Sequence, residues 1–204
     1  MRQMKLLIQP QDGVARLLLW FTLCACAAPA LAAPPQPGQI DDAVRVSRVF
    51  ADRVRAYVTL QKQLEGPRQA QAPTTEAEQI AVRQDALAGR TAAARRDARQ
   101  GDVFTPDVAE LLRGIIHDAF QGPDGKNMRR TILEGDPEQA TVLNVNVPYP
   151  EEIPLGTMPP MLLRRLPTLP AELAYRIVGH ALVLKDVKTN LIVDFIPDAV
   201  PQLR

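Results

Sequence analysis

The chain has 204 residues, which is enough for one medium-sized domain or two small ones. Its hydrophobic content of 46% supports a core, but only 4% of the residues are aromatic, so we expect the core to be modest. The formal net charge of +1 argues against a nucleic-acid-binding surface and against a polyacidic tail.

Residues 1–32 have the pattern of a signal peptide. Arg2, Lys5 and Arg16 make the start positive, and residues 17–32 are apolar. The Ala-Leu-Ala sequence that ends at Ala32 suits a signal peptidase, so we expect cleavage after this residue. An uncleaved anchor is the alternative, but the apolar run is shorter than the roughly 20 residues of a stable membrane span. We therefore expect an exported, periplasmic protein.

Both cysteines, Cys24 and Cys26, lie inside this segment. The mature chain is therefore predicted to lack disulfides and any thiol nucleophile. The sequence from Leu23 to Cys26 is similar to a lipobox, the processing signal that ends in an acylated cysteine. If Cys26 carries a lipid, the protein is anchored to the outer membrane rather than spanning it, and only in that case do we expect membrane contact.

Residues 33–38 form a proline-rich linker, and residues 39–100 then have the periodicity of a helical hairpin. Apolar residues recur at steps of three and four, which predicts a long helix over residues 40–65. The repeat comprises Ile40, Val44, Ser47, Phe50, Ala51, Val54, Tyr57, Val58 and Leu64. Gly66 and Pro67 end this helix.

Thr75 and Glu78 have capping-box spacing, so we expect a second helix to begin there and to reach about residue 100. Its apolar side is mostly small, and it comprises Ile80, Ala81, Leu87, Ala88, Thr91, Ala94 and Ala98. A seam of alanines is thin, so we expect Phe50 and Tyr57 of the first helix to have limited cover and to leave an exposed apolar strip.

Residues 101–204 are predicted to form an α+β domain. A third helix starts at Thr105, Pro106 and Asp107, which combine a capping hydroxyl, a proline and an acid in the first turn. Its buried stripe comprises Val108, Leu111, Leu112, Ile115 and Ala119. Gly122 and Pro123 stop it, and short helices are expected near residues 126–133 and 160–166.

From residue 141 the apolar period changes from about 3.6 residues to about 2, which is typical of half-buried strands. Residues 141–147 form the first predicted strand, and a three-strand meander follows from Tyr175. Gly179 and His180 suit its first turn, and residues 186–190 its second. The predicted fold is therefore α+β: a long N-terminal helical hairpin, then an antiparallel sheet of about four strands covered by short helices.

A resemblance covers most of the mature chain. The stretch TMPPMLLRRLPTLPAELAYRIVGHALVLKDVKTNLIVDFIPDAVP, with GDVFTPDVAELLRGII upstream, resembles a family of uncharacterised exported bacterial proteins, and that family brings no function with it. The shorter stretch YRIVGHALVLKDVKTNLIVDFI is similar to the C-terminal hairpin of RcnB-type periplasmic proteins, which are linked to nickel and cobalt homeostasis. Here Asn190 replaces the usual glycine of the last turn and no histidine cluster accompanies it, so a role in metal homeostasis is not implied.

The candidate reactive residues of this hairpin are His180, Asp186 and Asp194. Together they offer an imidazole and carboxylates, the groups of a metal centre or of a hydrolase. Turn and strand-end positions also favour polar residues for local reasons, and we assign all of them, with Lys185, a structural role. The other histidine, His117, is predicted to face water on the third helix.

Other chemistries are disfavoured by the residues that are present. Ser47 is the only serine and lies within a helix without a nucleophile elbow. Residues 122–127 lack the glycine spacing of a phosphate loop, and Glu151 and Glu152 lie between prolines, as an exposed loop does. A basic cluster, formed by Arg95, Arg96 and Arg99, is mixed with acids and predicts a solvated face rather than a contact with acidic partners or lipid head groups.

We therefore expect an exported, non-enzymatic interaction or accessory protein with an unknown envelope protein as its partner. We expect no cofactor and no nucleic acid, and the sequence does not indicate the oligomeric state. The alternative is a periplasmic hydrolase or metal-binding protein that uses His180 with Asp186 and Asp194.

Overall fold

The structure, a computed structural model, describes residues 37–66, 77–134, 142–149 and 158–201. They belong to one compact unit, Pro35–Arg204, while Met1–Pro34 lies outside the described residues. The elements are α1 (Pro37–Glu65), α2 (Ala77–Ala94), α3 (Pro106–Gln121), α4 (Gly125–Leu133), α5 (Pro160–Leu163), β1 (Leu173–Val178), β2 (Ala181–Asp186) and β3 (Ile192–Ile196). This is the predicted α+β class. None of the described helices combines the length and apolar character that a membrane span requires.

Helix α1 provides one wall of the core. Its buried face comprises Val46, Phe50, Val54, Tyr57, Val58 and Gln61, which are spaced as a helix requires. Phe50 stacks on Phe104 with ring centroids 5.7 Å apart. The expectation that Phe50 and Tyr57 have limited cover is therefore wrong: they are only 2% and 4% exposed. Instead Ile40 and Val44, at the start of the predicted stripe, are the exposed ones.

Helix α2 runs antiparallel to the end of α1. The Arg95 guanidinium lies over the Tyr57 ring, and Arg90 donates to the Leu64 carbonyl. Only Leu87 and Thr91 of α2 are buried, so residues 77–86 carry exposed side chains. The helix ends at Ala94, before the predicted residue 100, and the side chain of the next residue, Arg95, donates to the Val193 carbonyl of the sheet. Thr75, the predicted cap, lies outside the described residues.

Helices α3 and α4 contribute side chains to the same hydrophobic cluster as one face of the sheet. Thr105 is the residue that precedes α3, as predicted, but its hydroxyl makes no capping hydrogen bond. The buried face is rotated from the predicted one, since Ile116 and Phe120 are buried while Leu111 and Ile115 are only partly so. The α3–α4 turn admits glycine alone at residue 125, because a Cβ there would lie 2.0 Å from the Phe120 carbonyl oxygen.

The sheet has three antiparallel strands in the order β1-β2-β3. The predicted two-residue turn at Gly179 and His180 joins β1 to β2, and Gly179 has the positive φ of 55° that this turn needs. Asn190, with φ of 59°, ends the second turn. One face of the sheet packs on the helices in the main core cluster, and the other packs on Tyr149.

The fourth predicted strand, residues 141–147, is wrong for the residues that the structure describes, 142–147. These residues make a turn, with Asn146 at a φ of 64°, and only Pro148 forms a bridge, to Leu191. The backbone still binds the edge of β3, since the Asn146 N–H donates to the Ile192 carbonyl and the Ile192 N–H to the Val147 carbonyl. The alternation of apolar and polar residues reflects this irregular contact with an edge rather than a strand.

A single hydrophobic cluster within the described residues contains side chains from α1, from α3 and from the sheet. The domain boundary that the sequence places after residue 100 stays a prediction.

Candidate functional site

His180 is exposed at the β1–β2 turn, as predicted for a turn residue. Its Nδ1 lies 3.2 Å from the Val200 carbonyl oxygen, and the Val200 N–H donates to the His180 carbonyl. Asp186 lies at the other end of β2, six residues away, which is about 20 Å at roughly 3.3 Å per residue. His180 therefore secures the C-terminal segment and does not meet Asp186.

Asp186 is a fully buried carboxylate at the end of β2. One oxygen accepts from the Tyr57 hydroxyl and from Gln61 Nε2, each at 2.6 Å. The other accepts from the Lys188 and Thr189 N–H groups at 2.8 and 2.9 Å. Burial, and then the negative charge of Asp186, raise the pKa of Tyr57. The carboxylate thus joins α1 to the β2–β3 turn and has no lone pair left for a ligand.

Asp194 is equally buried, on β3. It accepts from the N–H groups of Gly101, Val103 and Phe104 at 2.8 to 2.9 Å, and from the Phe195 N–H at 2.8 Å. Backbone amides satisfy a carboxylate without a counter-charge. Asp194 is therefore the anchor of residues 101–104, the connection between α2 and α3, and its oxygens are not free to bind a metal or to accept a proton from a substrate.

Arg95 is the partly buried cation of this region. It donates to Asn146 Oδ1 at 2.8 Å and to the Val193 carbonyl at 3.1 Å, and its guanidinium lies 4.9 Å from the Tyr57 ring centroid. Burial lowers the pKa of Arg95, while the charges of Asp194 and other acids act in the opposite direction. The predicted basic cluster is therefore divided: Arg95 is engaged in the structure, whereas Arg96 and Arg99 are exposed.

The remaining sequence candidates do not assemble into a reactive site. His117 has a side chain 63% exposed, and its Nδ1 lies 3.7 Å from Asp118 Oδ1. Glu151, Glu152 and Cys26 lie outside the described residues. In the part of the chain that the structure describes, no group of three or more His, Cys, Asp or Glu side chains is arranged to hold a metal ion.

Two apolar depressions lie along α1, and we call them together the α1 groove. Its first part, about 590 Å³, lies against α3 and is lined mainly by Ile40, Ala43, Val44, Ala51, Leu111 and Ile115. Its second part, about 370 Å³, lies between α1 and the loop from Pro167 to Pro170. Ser47 and Ala51 of α1 line both parts.

Basic side chains flank the α1 groove. Arg48 lines the first part, and Arg55 and Lys62 line the second. Lys62 also pairs with Glu172 at 2.6 Å, and this hydrogen bond is the main reason that the pKa of Glu172 is lowered. The groove thus combines an apolar floor with a cationic edge, and the sequence missed it because Leu111 and Ile115 were assigned to a fully buried stripe.

Comparisons with known proteins found no matching family model, no matching curated protein and no matching solved structure. The resemblances described above stay predictions.

Proposed function

We propose that this chain is an exported, non-enzymatic protein that binds another envelope protein through the α1 groove. The observation that carries the proposal is the exposure of Ile40 and Val44, which are 52% and 46% exposed, beside the apolar side chains of α3. Contiguous apolar surface with polar surroundings is typical of interaction sites. The proposal of export depends on residues 1–32, which lie outside the described residues.

The dimensions of the α1 groove suit a segment of a protein chain. From Ile40 to Lys62, α1 advances 22 residues, which is about 33 Å at roughly 1.5 Å per residue. An amphipathic helix laid along such a groove contacts it through apolar residues on successive turns. The burial of Ile40, Val44 and their neighbours on α3 then drives binding, because apolar area removed from water contributes about 25 cal/mol per Å².

The cationic side chains along the α1 groove favour a partner with acidic residues. Arg48, Arg55 and Lys62 follow one another along the groove, and Arg55 and Lys62 retain exposed side chains despite their ion pairs. An acidic flank on the bound segment complements this edge, and exposed charges of this kind mainly accelerate association and select among partners. The occupant that we propose is therefore an acidic amphipathic segment of an envelope protein.

Site-specific photocrosslinking in cells tests the proposal directly. A photoreactive residue is placed at Val44, in the groove, and in a matched variant at Val82, which is 62% exposed on the uncovered half of α2. We expect a discrete adduct with a second protein from position 44 and none from position 82. An adduct from both positions, or from neither, contradicts the proposal. An adduct of two copies of this chain assigns the groove to self-association instead.

Substitutions of an apolar residue and of a cationic residue then separate the apolar and the electrostatic contributions to partner binding. Val44→Asp is expected to abolish the adduct formed from a photoreactive residue at Ala51, whereas Val82→Asp is expected to leave it unchanged. Arg48→Glu is expected to weaken formation of the adduct and to reduce its salt dependence, because Arg55 and Lys62 remain. Unfolding curves of the purified variants must match that of the native chain, and an intact adduct in correctly folded Val44→Asp protein contradicts the proposed site.

A further inference from the structure

A cluster of polar side chains lies on the face of the sheet opposite the one that packs on the described helices. Tyr149 packs there on Val178, Val183 and Ile192 and is only 2% exposed, yet its hydroxyl has no hydrogen-bond partner among the described residues. A buried hydroxyl left without a partner costs about 1–3 kcal/mol. Buried polar groups are nearly always hydrogen-bonded, so this hydroxyl is a candidate donor to a bound ligand.

Two cations lie on the same face of the sheet as Tyr149, and the charge of Arg176 lowers the pKa of Tyr149 against the larger effect of burial. Arg176 of β1 is opposite Val183, and Lys185 of β2 is opposite Ala174, so the two cations are diagonal neighbours on the same face. Lys185 Nζ lies 5.0 Å from the centroid of the Tyr149 ring. Like charges at such positions repel each other, and neither cation has an ion pair with a carboxylate among the described residues.

The donors of Arg176 are only partly used. Its Nη1 donates to the neighbouring Tyr175 carbonyl at 2.8 Å, but its Nε is buried without a partner among the described residues. Burial, and then the charge of Arg176, lower the pKa of Lys185. Arg176, Lys185 and Tyr149 thus bring positive charge and hydrogen-bond donors together at a partly buried position. Charge-assisted hydrogen bonds to an anion are strong in such an environment.

An apolar cavity of about 340 Å³ adjoins Arg176 at the edge of β1 that faces away from β2. Its lining is mainly apolar and includes Met158, Leu163, Pro167, Leu169, Leu173 and Ala174. Arg176 is the only charged residue among the side chains described for this lining. The volume lies within the range of small-molecule sites, which is about 300–1,000 Å³.

We propose that Arg176, Lys185 and Tyr149 bind the anionic head of a small amphiphilic carboxylate whose apolar part fills the adjoining cavity. The carboxylate accepts hydrogen bonds from the Arg176 guanidinium and the Tyr149 hydroxyl, and its charge offsets the repulsion between Arg176 and Lys185. The apolar part gains from leaving water, as in other sites that combine an apolar lining with a few convergent polar groups. This site is centred on Arg176 rather than on α1, although its cavity shares Pro167 and Thr168 with the second part of the α1 groove. It does not depend on the function proposed for that groove.

Calorimetric titration of the full chain with octanoate, octanol and acetate tests this assignment. We expect saturable binding of octanoate, and binding of octanol and of acetate that is roughly tenfold weaker or more, because each lacks one of the two contributions. Equal binding of octanoate and octanol overturns the anion site. Equal binding of octanoate and acetate overturns the role of the cavity, and the absence of any octanoate binding overturns the proposal as a whole.

Variants locate the site. Arg176→Gln is expected to weaken octanoate binding by about tenfold, the order of one charge-assisted hydrogen bond. Lys185→Gln is expected to weaken it several-fold, because a positive charge near the carboxylate is lost. Arg164→Gln, at an exposed arginine next to α5, is the matched control and is expected to bind like the native chain. Native affinity in the first two variants overturns the assignment.

Tyr149→Phe keeps the test informative if the charge variants do not fold. This variant loses only a hydroxyl that has no partner in the described structure, so we expect the unliganded chain to be as stable as the native chain or more stable. Octanoate affinity is expected to fall several-fold at the same time, on the order of one neutral hydrogen bond. A purely structural Tyr149 gives the opposite pattern, with lower stability and native affinity.

The carboxylates of Glu151 and Glu152 follow Tyr149 closely in sequence but lie outside the described residues. A double variant, Glu151→Gln with Glu152→Gln, shows whether they compete for the cations. We expect it to bind octanoate as the native chain does. If the double variant binds octanoate and the native chain does not, the anion is supplied by the chain itself and the ligand proposal is overturned.

Discussion

Asp194 is the side chain whose loss is expected to damage the fold most. Its carboxylate is fully buried and accepts the N–H groups of Gly101, Val103 and Phe104, which come from the connection between α2 and α3. Asp194→Ala removes the acceptor and leaves these three donors unpaired. Because Val103 and Phe104 are themselves buried, water reaches their amides poorly.

The magnitude follows from those donors. Each buried donor without a partner costs about 1–3 kcal/mol, and partial rearrangement of the loop relieves some of that cost. We expect Asp194→Ala to lower the free energy of unfolding by about 3–5 kcal/mol, which is a large share of the roughly 5–15 kcal/mol of an ordinary domain. Asp194→Asn retains one acceptor oxygen, and its expected loss is about half as large.

Equilibrium urea unfolding, followed by the helical circular dichroism signal, measures these losses at neutral pH. The control is Asp97→Ala, which removes the same charge from a side chain that is 91% exposed, and its expected effect is within about 0.5 kcal/mol of zero. Amide hydrogen exchange at Val103 and Phe104 is expected to accelerate in Asp194→Asn. An Asp194→Ala protein within about 1 kcal/mol of the native chain refutes the reasoning, because the amides then have other acceptors.

Three further predictions concern single contacts. Burial raises the pKa of Tyr57, so its contribution to stability is complete below pH 10 and is lost as the pH rises further, by up to about 1.4 kcal/mol per pH unit. Urea unfolding from pH 9 to 11 should therefore show that the free energy of unfolding declines less steeply with pH in Tyr57→Phe than in the native chain. Gly125→Ala is expected to lower the free energy of unfolding by about 1–3 kcal/mol, because its Cβ would lie 2.0 Å from the Phe120 carbonyl oxygen, and an unchanged thermal midpoint contradicts this. The hydrogen bond from Lys62 lowers the pKa of Glu172, so Glu172→Gln is expected to lower the free energy of unfolding by at most a few tenths of a kcal/mol at neutral pH. Salt reduces this difference, and the difference disappears as the pH falls below about 4.

Helices and turns were predictable because their signals are local. The end of α1 at Gly66, the start of α3 at Pro106 and the turn at Gly179 each follow from the backbone preferences of one or two residues. The apolar repeat of α1 likewise identified Phe50, Val54 and Tyr57 as one face. Local turn and strand-end preferences were also the basis for the structural role predicted for His180, Asp186 and Asp194. They do not predict that Asp194 is buried within β3 and accepts hydrogen bonds from Gly101, Val103 and Phe104.

The predictions of secondary structure and burial were wrong where contacts with a distant segment determine the local structure. The alternation in residues 142–147 predicts a strand, but the bond between Arg95 and Asn146, 51 residues apart, holds a turn there. Ile40 belongs to the apolar repeat of α1 and is still exposed, because no described element covers that end of the groove. Periodicity identifies an apolar face but does not say whether a neighbour covers it.

The amino-acid sequence alone determined the fold class, the positions of the helices and the β-meander, since each depends on periodicity and turn chemistry within short stretches. Only the tertiary structure decided that Asp186 and Asp194 are buried and saturated with hydrogen bonds, because their donors come from up to 129 residues away. It also decided which apolar and cationic side chains share a surface, as the α1 groove and the cluster around Tyr149 show. Contacts between distant segments are set by packing, which local sequence patterns do not encode.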